Sequence, residues 1–112
     1  MYTIYHNPRC KKSRAGMAYL ESKGHEFEVV EYLKTPLSES TLKEILMKMN
    51  KAPQDILRTQ EAIYKAEFKG KNFTDDEWIK ILVKNPKLIQ RPIVTKGYKA
   101  VFAQPPENID EL

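Results

Sequence analysis

The chain contains a single cysteine, Cys10, whose surroundings favour a reactive thiolate. The apolar run Tyr2–Tyr5 predicts a strand, and Ala15–Gly24 predicts a helix that ends at a glycine. Cys10 therefore lies where a strand passes into a helix, and unpaired backbone N–H groups and the helix dipole there favour an anion. The flanking cations are Arg9, Lys11, Lys12 and Arg14. We therefore expect the pKa of Cys10 to lie below the value of about 8.5 for a free thiol, and we expect oxyanions to be attracted to the same place.

A lone cysteine has a second interpretation, because free cysteine is often a small buried apolar residue. A core cysteine is normally flanked by apolar residues at strand or helix period. Cys10 is instead flanked by Pro-Arg and by Lys-Lys. This setting favours a functional thiol over a core position.

Length and composition limit the classes of function. The 112 residues suit one compact domain, and the charged fraction of 30% is ordinary for a soluble protein. No apolar run reaches the roughly 20 residues that span a bilayer, and we expect no signal peptide. One cysteine permits no internal disulfide, which fits a reducing cytoplasm. The net charge is +4, but the lysines alternate with glutamates, so we expect a small anion or an acidic protein as partner rather than nucleic acid.

The remaining pattern predicts an α/β fold with helices grouped in the middle of the chain. A second strand is predicted at His25–Tyr32 and, after a βα connection, should be parallel to the first. Two later strands, Arg91–Thr95 and Tyr98–Phe102, should form an antiparallel hairpin about a Lys96-Gly97 turn. Predicted helical segments are Glu39–Met49 with Ser38 as cap, Gln54–Arg58, Thr59–Phe68, a helix opened by the capping box of Thr74 and Glu77 that ends before Pro86, and Glu107–Leu112.

Several segments together resemble the glutaredoxin-dependent arsenate reductase family, the ArsC-like branch of the thioredoxin superfamily. In chain order they are Tyr5-His6-Asn7-Pro8-x-Cys10-x-x-Ser13-Arg14, Ile56-Leu57-Arg58, Asn72-Phe73-Thr74-Asp75-Asp76 and Asn85-Pro86-x-Leu88-Ile89-x-Arg91-Pro92-Ile93-Val94. The resemblance implies a single thioredoxin-like domain over 1–112, with a four-stranded mixed sheet and a helical lobe inserted at about 36–88. Spx-type regulators, which bind RNA polymerase, share this fold.

The resemblance also implies roles for individual residues. Cys10 is the expected nucleophile, with His6, Ser13 and Arg14 favouring its thiolate. Arg58 and Arg91 are expected to bind the oxyanion, and Arg91 should form a cis peptide with Pro92. From the residues alone, Arg58 is equally consistent with an ion pair to a nearby glutamate, His6 with a hydrogen-bonded loop histidine, and Ser13 with a helix cap.

One position departs from the family pattern. Family members carry a third arginine near the C-terminal proline segment, and Gln104 occupies that position here. An amide hydrogen-bonds an oxyanion but does not neutralise its charge, and Lys99 is a candidate to compensate. The loss of a charge-assisted contact costs on the order of 1.5–3 kcal/mol.

The sequence therefore predicts a cytoplasmic thiol-dependent oxidoreductase that acts on arsenate or a similar oxyanion. Glutathione is the expected co-substrate and glutaredoxin the expected protein partner, with no bound cofactor and no metal site. The alternative is an Spx-like regulator that binds RNA polymerase without turnover. Typical redox-sensing members of that group carry a Cys-x-x-Cys pair, and here Ser13 stands at the second cysteine position.

Overall fold

The computed structural model describes residues 1–112, which contain four strands and three α-helices. The strands are β1 (Tyr2–Tyr5), β2 (Phe27–Val30), β3 (Ile93–Lys96) and β4 (Lys99–Phe102), and the helices are α1 (Lys11–Ser22), α2 (Glu39–Met49) and α3 (Asp75–Lys84). Short 3-10 helices cover Pro53–Ile56, Pro86–Leu88 and Pro106–Glu111, and a π-helical turn covers Tyr64–Phe68. None of these helices combines the length and the apolar character that crossing a bilayer requires.

The chain divides into two compact units. Met1–Thr35 and Arg91–Leu112 form the sheet unit, and Pro36–Gln90 forms the helical unit. The helical unit begins at the residue where the sequence predicted an insertion and extends two residues past the predicted end at 88. The assignment of the whole chain to one domain stays a prediction.

The sheet unit contains a mixed four-stranded sheet in the order β2-β1-β3-β4. Strand β1 runs parallel to β2 and antiparallel to β3, and β3 is antiparallel to β4. The predicted mixed sheet, parallel βαβ unit and hairpin are therefore confirmed. The predicted Lys96-Gly97 turn is wrong by one residue, because Lys96 pairs with Lys99 and the loop is Gly97-Tyr98. Gly97 has a φ of 60°, which a two-residue loop of type II′ requires at its first position.

One face of the sheet is covered by α1 and by the C-terminal 3-10 helix. The buried apolar cluster between them is Tyr2, Ile4, Leu20, Val94, Ala103 and Ile109. Each large side chain buried in this way contributes about 1.5–3 kcal/mol relative to exposure. At the surface, the Tyr19 hydroxyl donates a hydrogen bond of 2.6 Å to Asp110 and joins the two helices.

Helix boundaries in the helical unit follow local capping residues. Ser38 caps α2 by accepting a hydrogen bond of 3.1 Å from the Thr41 N–H, and α2 ends at Met49 as predicted. The predicted capping box opens α3: the Glu77 N–H donates to the Thr74 hydroxyl (3.2 Å), and the Thr74 N–H donates to the Glu77 carboxylate (2.9 Å). Both predictions are confirmed.

Other predicted boundaries differ from the structure. Helix α1 begins at Lys11, earlier than the predicted Ala15, because the extended Cys10 is the N-cap and the charged first turn carries no apolar periodicity. The predicted Thr59–Phe68 helix begins later, at Ala62, and is π-helical over Tyr64–Phe68, where the Lys69 N–H donates to the Tyr64 carbonyl (2.9 Å). The C-terminal helix is a 3-10 helix, Pro106–Glu111.

Candidate active site

Cys10 is the N-cap residue of α1 and is partly exposed. Its backbone is extended, with φ −92° and ψ 122°, and it makes no conventional side-chain capping bond. The loop before it is ordered by backbone contacts, since the Cys10 N–H donates to the Asn7 carbonyl (3.0 Å) and the Arg9 N–H donates to the Asn7 side chain (3.0 Å). The thiol is therefore held at the open end of the helix.

Opposing effects act on the acidity of Cys10, and their balance lowers its pKa. Burial raises the pKa of the thiol. A hydrogen bond from the Arg91 side chain, the Ser13 N–H, the positive charge of Arg91 and the Lys12 N–H together outweigh burial and bring the pKa below its ordinary value of 9.0. These groups all favour the charged form of a thiol. The predicted direction is confirmed.

The cause differs in part from the one expected from sequence. The start of α1 contributes through the N–H groups of Lys12 and Ser13. The main cation, however, is Arg91, which lies two residues before β3. The Arg14 guanidinium donates to the Pro8 carbonyl (3.0 Å) and lowers the pKa of His6, and it is not among the groups that lower that of Cys10. The neighbours in sequence are exposed, so their charges are screened by water.

His6 and Ser13 form a buried polar pair behind the cysteine loop. The Ser13 hydroxyl and His6 Nδ1 share a hydrogen bond of 2.7 Å, and the Asn7 N–H donates to the same hydroxyl (2.9 Å). Burial lowers the pKa of His6, Glu31 raises it, Arg14 lowers it, and a Ser13 backbone hydrogen bond raises it, with a net decrease. This arrangement suits a neutral His6 whose Nδ1 accepts from the Ser13 hydroxyl.

His6 and Ser13 therefore act on the loop rather than by adding charge beside the sulfur. Both side chains are buried, at 4% and 0% exposure, so their hydrogen bonds are shielded from water. The Ser13 hydroxyl is engaged with His6 and Asn7, and the Ser13 group that favours the thiolate is its backbone N–H. Asn7 was not among the site residues predicted from the sequence, and its backbone and side chain both shape this loop.

Arg91 is held by the contact between Pro92 and α1. The Arg91–Pro92 peptide is cis, the geometry expected from the sequence. Pro92 is buried against Gly16, where an added Cβ would lie 2.8 Å from Pro92 Cγ. The Pro92 carbonyl also accepts from the Ala103 N–H (2.9 Å), at the end of β4. Helix α1 therefore carries Cys10 at its start and fixes the neighbour of Arg91 two turns later.

Gln104 follows this junction and is half-buried. Its peptide with Pro105 is also cis, which the sequence analysis did not predict. The Gln104 carbonyl accepts from Asn108 Nδ2 (3.3 Å), and its side-chain amide makes no hydrogen bond. Lys99, the candidate for compensation, is exposed on β4.

Arg58 belongs to the helical unit and forms an ion pair there. Its Nη1 lies 2.8 Å from Glu61 Oε2, the type of contact that the sequence left open as an alternative to anion binding. The Arg58 N–H donates to the Leu88 carbonyl (2.7 Å), which fixes the backbone. Glu61 was not singled out from the sequence, although its i,i+3 spacing from Arg58 was the available signal.

Comparisons with known proteins agree over nearly the whole chain. The ArsC family model matches residues 5–112. An arsenate reductase of Neisseria meningitidis is 39% identical over 111 residues, which cover 97% of this chain and 95% of the relative. An Escherichia coli K12 protein, YfgD, described as uncharacterized, is 41% identical over 112 residues, covering 97% of this chain and 93% of YfgD.

The solved structures lead to the same result. An arsenate reductase from Vibrio cholerae superposes with a TM-score of 0.93 at 36% identity, covering 98% of this chain and 95% of that chain. The expected α/β, thioredoxin-like fold with a four-stranded mixed sheet is thereby confirmed. With a matching family model, relatives near 40% identity and a cysteine at the head of α1 beside Arg91, this chain belongs to the ArsC family.

Proposed function

We propose that this protein is a thiol-dependent arsenate reductase in which the Cys10 thiolate attacks the arsenic atom. The observation that carries the proposal is the lowered pKa of Cys10, caused above all by Arg91 and by two N–H groups at the start of α1. The names of the relatives from Neisseria meningitidis and Vibrio cholerae support the choice of arsenate.

The same groups serve both the nucleophile and its substrate. A thiolate is the attacking form of cysteine, and a guanidinium that favours the thiolate also attracts the tetrahedral anion. Attack forms a sulfur–arsenic bond, and one arsenate oxygen leaves as water after protonation. Negative charge that develops on the remaining oxygens is stabilised by Arg91, and we assign Arg58 to the same role.

Thiols from outside the chain complete the reduction in this proposal. Glutathione attacks the Cys10 sulfur of the adduct, and the sulfur–arsenic bond breaks with its electron pair passing to arsenic, which leaves as arsenite. Glutaredoxin then reduces the resulting disulfide between Cys10 and glutathione by thiol exchange. Overall, one arsenate and two thiols give one arsenite, one disulfide and one water, so two electrons pass from sulfur to arsenic. Cys10 is regenerated, which suits a chain with one cysteine. We therefore expect the protein to work in a reducing cytoplasm, where these reductants are found.

The arsenate reduction assay, coupled to glutathione and glutaredoxin, tests the proposal. Wild type should turn over, Cys10→Ser should not, and Arg91→Ala should lose about a hundredfold in rate. Arg9→Ala is the matched control, because Arg9 is exposed beside Cys10 and is absent from the groups that lower its pKa. Gln104→Arg should raise turnover by supplying a third cation.

Two results would contradict the proposal. One is full activity in Arg91→Ala. The other is the absence of arsenate turnover in both wild type and Gln104→Arg, with thermal unfolding showing that each variant is folded.

A further inference from the structure

Asn7 connects the loop that precedes Cys10 with the first turn of α1. We propose that Asn7 is a positioning residue, and that its side chain maintains the turn that holds the Cys10 sulfur against the first N–H groups of α1. The inference rests on the proposed function, because it takes Cys10 as the nucleophile. Its consequence is that a neutral amide, in addition to the charge of Arg91, controls how readily the thiolate forms.

The side chain and the backbone of Asn7 together close a tight turn that ends at Cys10. The Arg9 N–H donates to Asn7 Oδ1 (3.0 Å), and the Cys10 N–H donates to the Asn7 carbonyl (3.0 Å). An asparagine side chain that accepts from the N–H two residues later forms an Asx turn, and a proline directly after it supplies the backbone φ that the turn requires. Pro8 occupies that position. The turn is therefore favoured both by its hydrogen bonds and by the fixed φ of Pro8.

A third hydrogen bond of Asn7 joins this turn to α1. The Asn7 N–H donates to the Ser13 hydroxyl (2.9 Å). Asn7 and Ser13 are 8% and 0% exposed, so water does not compete for the bond between them. On the helix side of the cysteine, the Arg14 N–H donates to the Cys10 carbonyl (3.0 Å). The backbone of Cys10 is therefore fixed from the loop and from the helix.

This arrangement determines which N–H groups remain for the sulfur. The N–H groups of Arg9 and Cys10 are used within the turn, whereas those of Lys12 and Ser13 favour the Cys10 thiolate. Lys12 and Ser13 are the second and third residues of α1, whose N–H groups an N-cap side chain normally accepts. The thiolate thus takes the place of the oxygen of an ordinary N-cap. This requires the extended backbone of Cys10, which the turn at Asn7 maintains.

Asn7→Ala removes the oxygen that accepts from the Arg9 N–H and leaves the backbone groups of residue 7 in place. We expect the turn to loosen and the Cys10 sulfur to lose part of its contact with the start of α1. The midpoint of alkylation by iodoacetamide against pH should therefore rise by about 0.5–1 pH unit. Below the midpoint, the alkylation rate should fall about three- to tenfold, because the thiolate fraction changes tenfold per unit.

Two further variants separate positioning from a general loss of stability. A serine hydroxyl also accepts from the N–H two residues later, although more weakly, so Asn7→Ser should bring the midpoint back towards the wild-type value. Ser38→Ala is the matched control, because it deletes an oxygen that accepts from the Thr41 N–H (3.1 Å) in the helical unit. Ser38→Ala should lower the free energy of unfolding and leave the midpoint unchanged.

Support requires a raised midpoint in Asn7→Ala, a partial or complete return in Asn7→Ser and no shift in Ser38→Ala. A wild-type midpoint in Asn7→Ala, an equal rise in Asn7→Ser, or an equal rise in Ser38→Ala overturns the inference. Denaturant unfolding shows whether each variant is folded. Should Asn7→Ala not fold, Pro8→Ala replaces it, since it loosens the same turn and keeps Asn7. A raised midpoint in Pro8→Ala then supports the inference, and an unchanged midpoint overturns it.

The two proposals can fail separately. A raised midpoint in Asn7→Ala without arsenate turnover in wild type counts against the proposed function alone. Normal arsenate turnover in wild type combined with an unchanged midpoint in Asn7→Ala counts against the inference alone.

Discussion

At the residue scale, the acidity of Cys10 is decided by a residue that is distant in sequence. Burial opposes the thiolate, while Arg91 and the N–H groups of Lys12 and Ser13 favour it and prevail. The nucleophile was evident from the sequence, because a strand-to-helix junction with a cysteine predicts an anion-favouring position. Without the family resemblance, the contribution of Arg91 was not evident, since it depends on how β1, α1 and β3 come together.

His6 provides a pH-dependent test of the loop behind Cys10. Its pKa in the folded protein lies below the ordinary value of 6.5, so the unfolded chain binds the proton more tightly. The contribution of neutral His6 to the free energy of unfolding is therefore fully present above about pH 6.5. It is lost as the pH falls below that value and through the lower pKa of the folded protein. We expect the advantage of wild type over His6→Gln in the free energy of unfolding to shrink between about pH 7.5 and pH 5.

Denaturant unfolding of both proteins at each pH checks this expectation. An advantage that is constant, or that grows as the pH falls, would show that His6 is not held neutral. Unfolding at about pH 8, where histidine is neutral in both states, is the internal reference.

At the element scale, helix α1 connects Cys10 with Arg91. Cys10 is its N-cap residue, and Gly16 packs against Pro92, the neighbour of Arg91. An added Cβ there would meet the buried ring of Pro92 at 2.8 Å. Overpacking a core contact costs about 1–3 kcal/mol, and alanine regains about 1 kcal/mol of helix propensity. We expect Gly16→Ala to lower the free energy of unfolding by up to about 2 kcal/mol, because a buried proline ring cannot rotate away.

The same variant should slow alkylation of Cys10 near neutral pH, since displacement of Pro92 carries Arg91 away from the thiol. Ala18→Gly is the control in the same helix: it lies at an exposed position and costs about 0.5–1 kcal/mol through helix propensity. Ala18→Gly should leave the alkylation rate unchanged. Equal slowing in both variants would mean that stability, and not the Pro92 contact, governs the thiol.

Elements that are determined by residues within a few positions were predictable from the sequence. Elements that depend on packing against another segment were not. Strand β1, helix α2 and the capping box at Thr74 follow from apolar periodicity and caps within a few residues. The π-helical turn Tyr64–Phe68 does not, because Phe68 at its end packs with Phe73 and Trp78 from the following segment. In the site, the residues alone indicated Cys10 and the family resemblance indicated Arg91, whereas which glutamate pairs with Arg58 was known only from the structure.

At the scale of the whole molecule, a net charge of +4 should steer anions towards the partly exposed Cys10. Iodoacetate and iodoacetamide form a matched pair of reagents, because they differ in charge and alkylate the same atom. We expect the alkylation rate with iodoacetate, divided by the rate with iodoacetamide, to fall several-fold between about 0.02 M and about 0.5 M salt, because salt screens the charge of the protein. A ratio independent of salt would contradict steering by charge.

The central claim is that Arg91 lowers the pKa of Cys10, and the pH dependence of alkylation of Cys10 by iodoacetamide tests this most directly. Wild type should show a midpoint below about 8.5, the value of a free thiol. Arg91→Ala should move the midpoint upwards, and Arg9→Ala should leave it in place. A wild-type midpoint at or above about 8.5, or a midpoint unchanged in Arg91→Ala, would contradict the account.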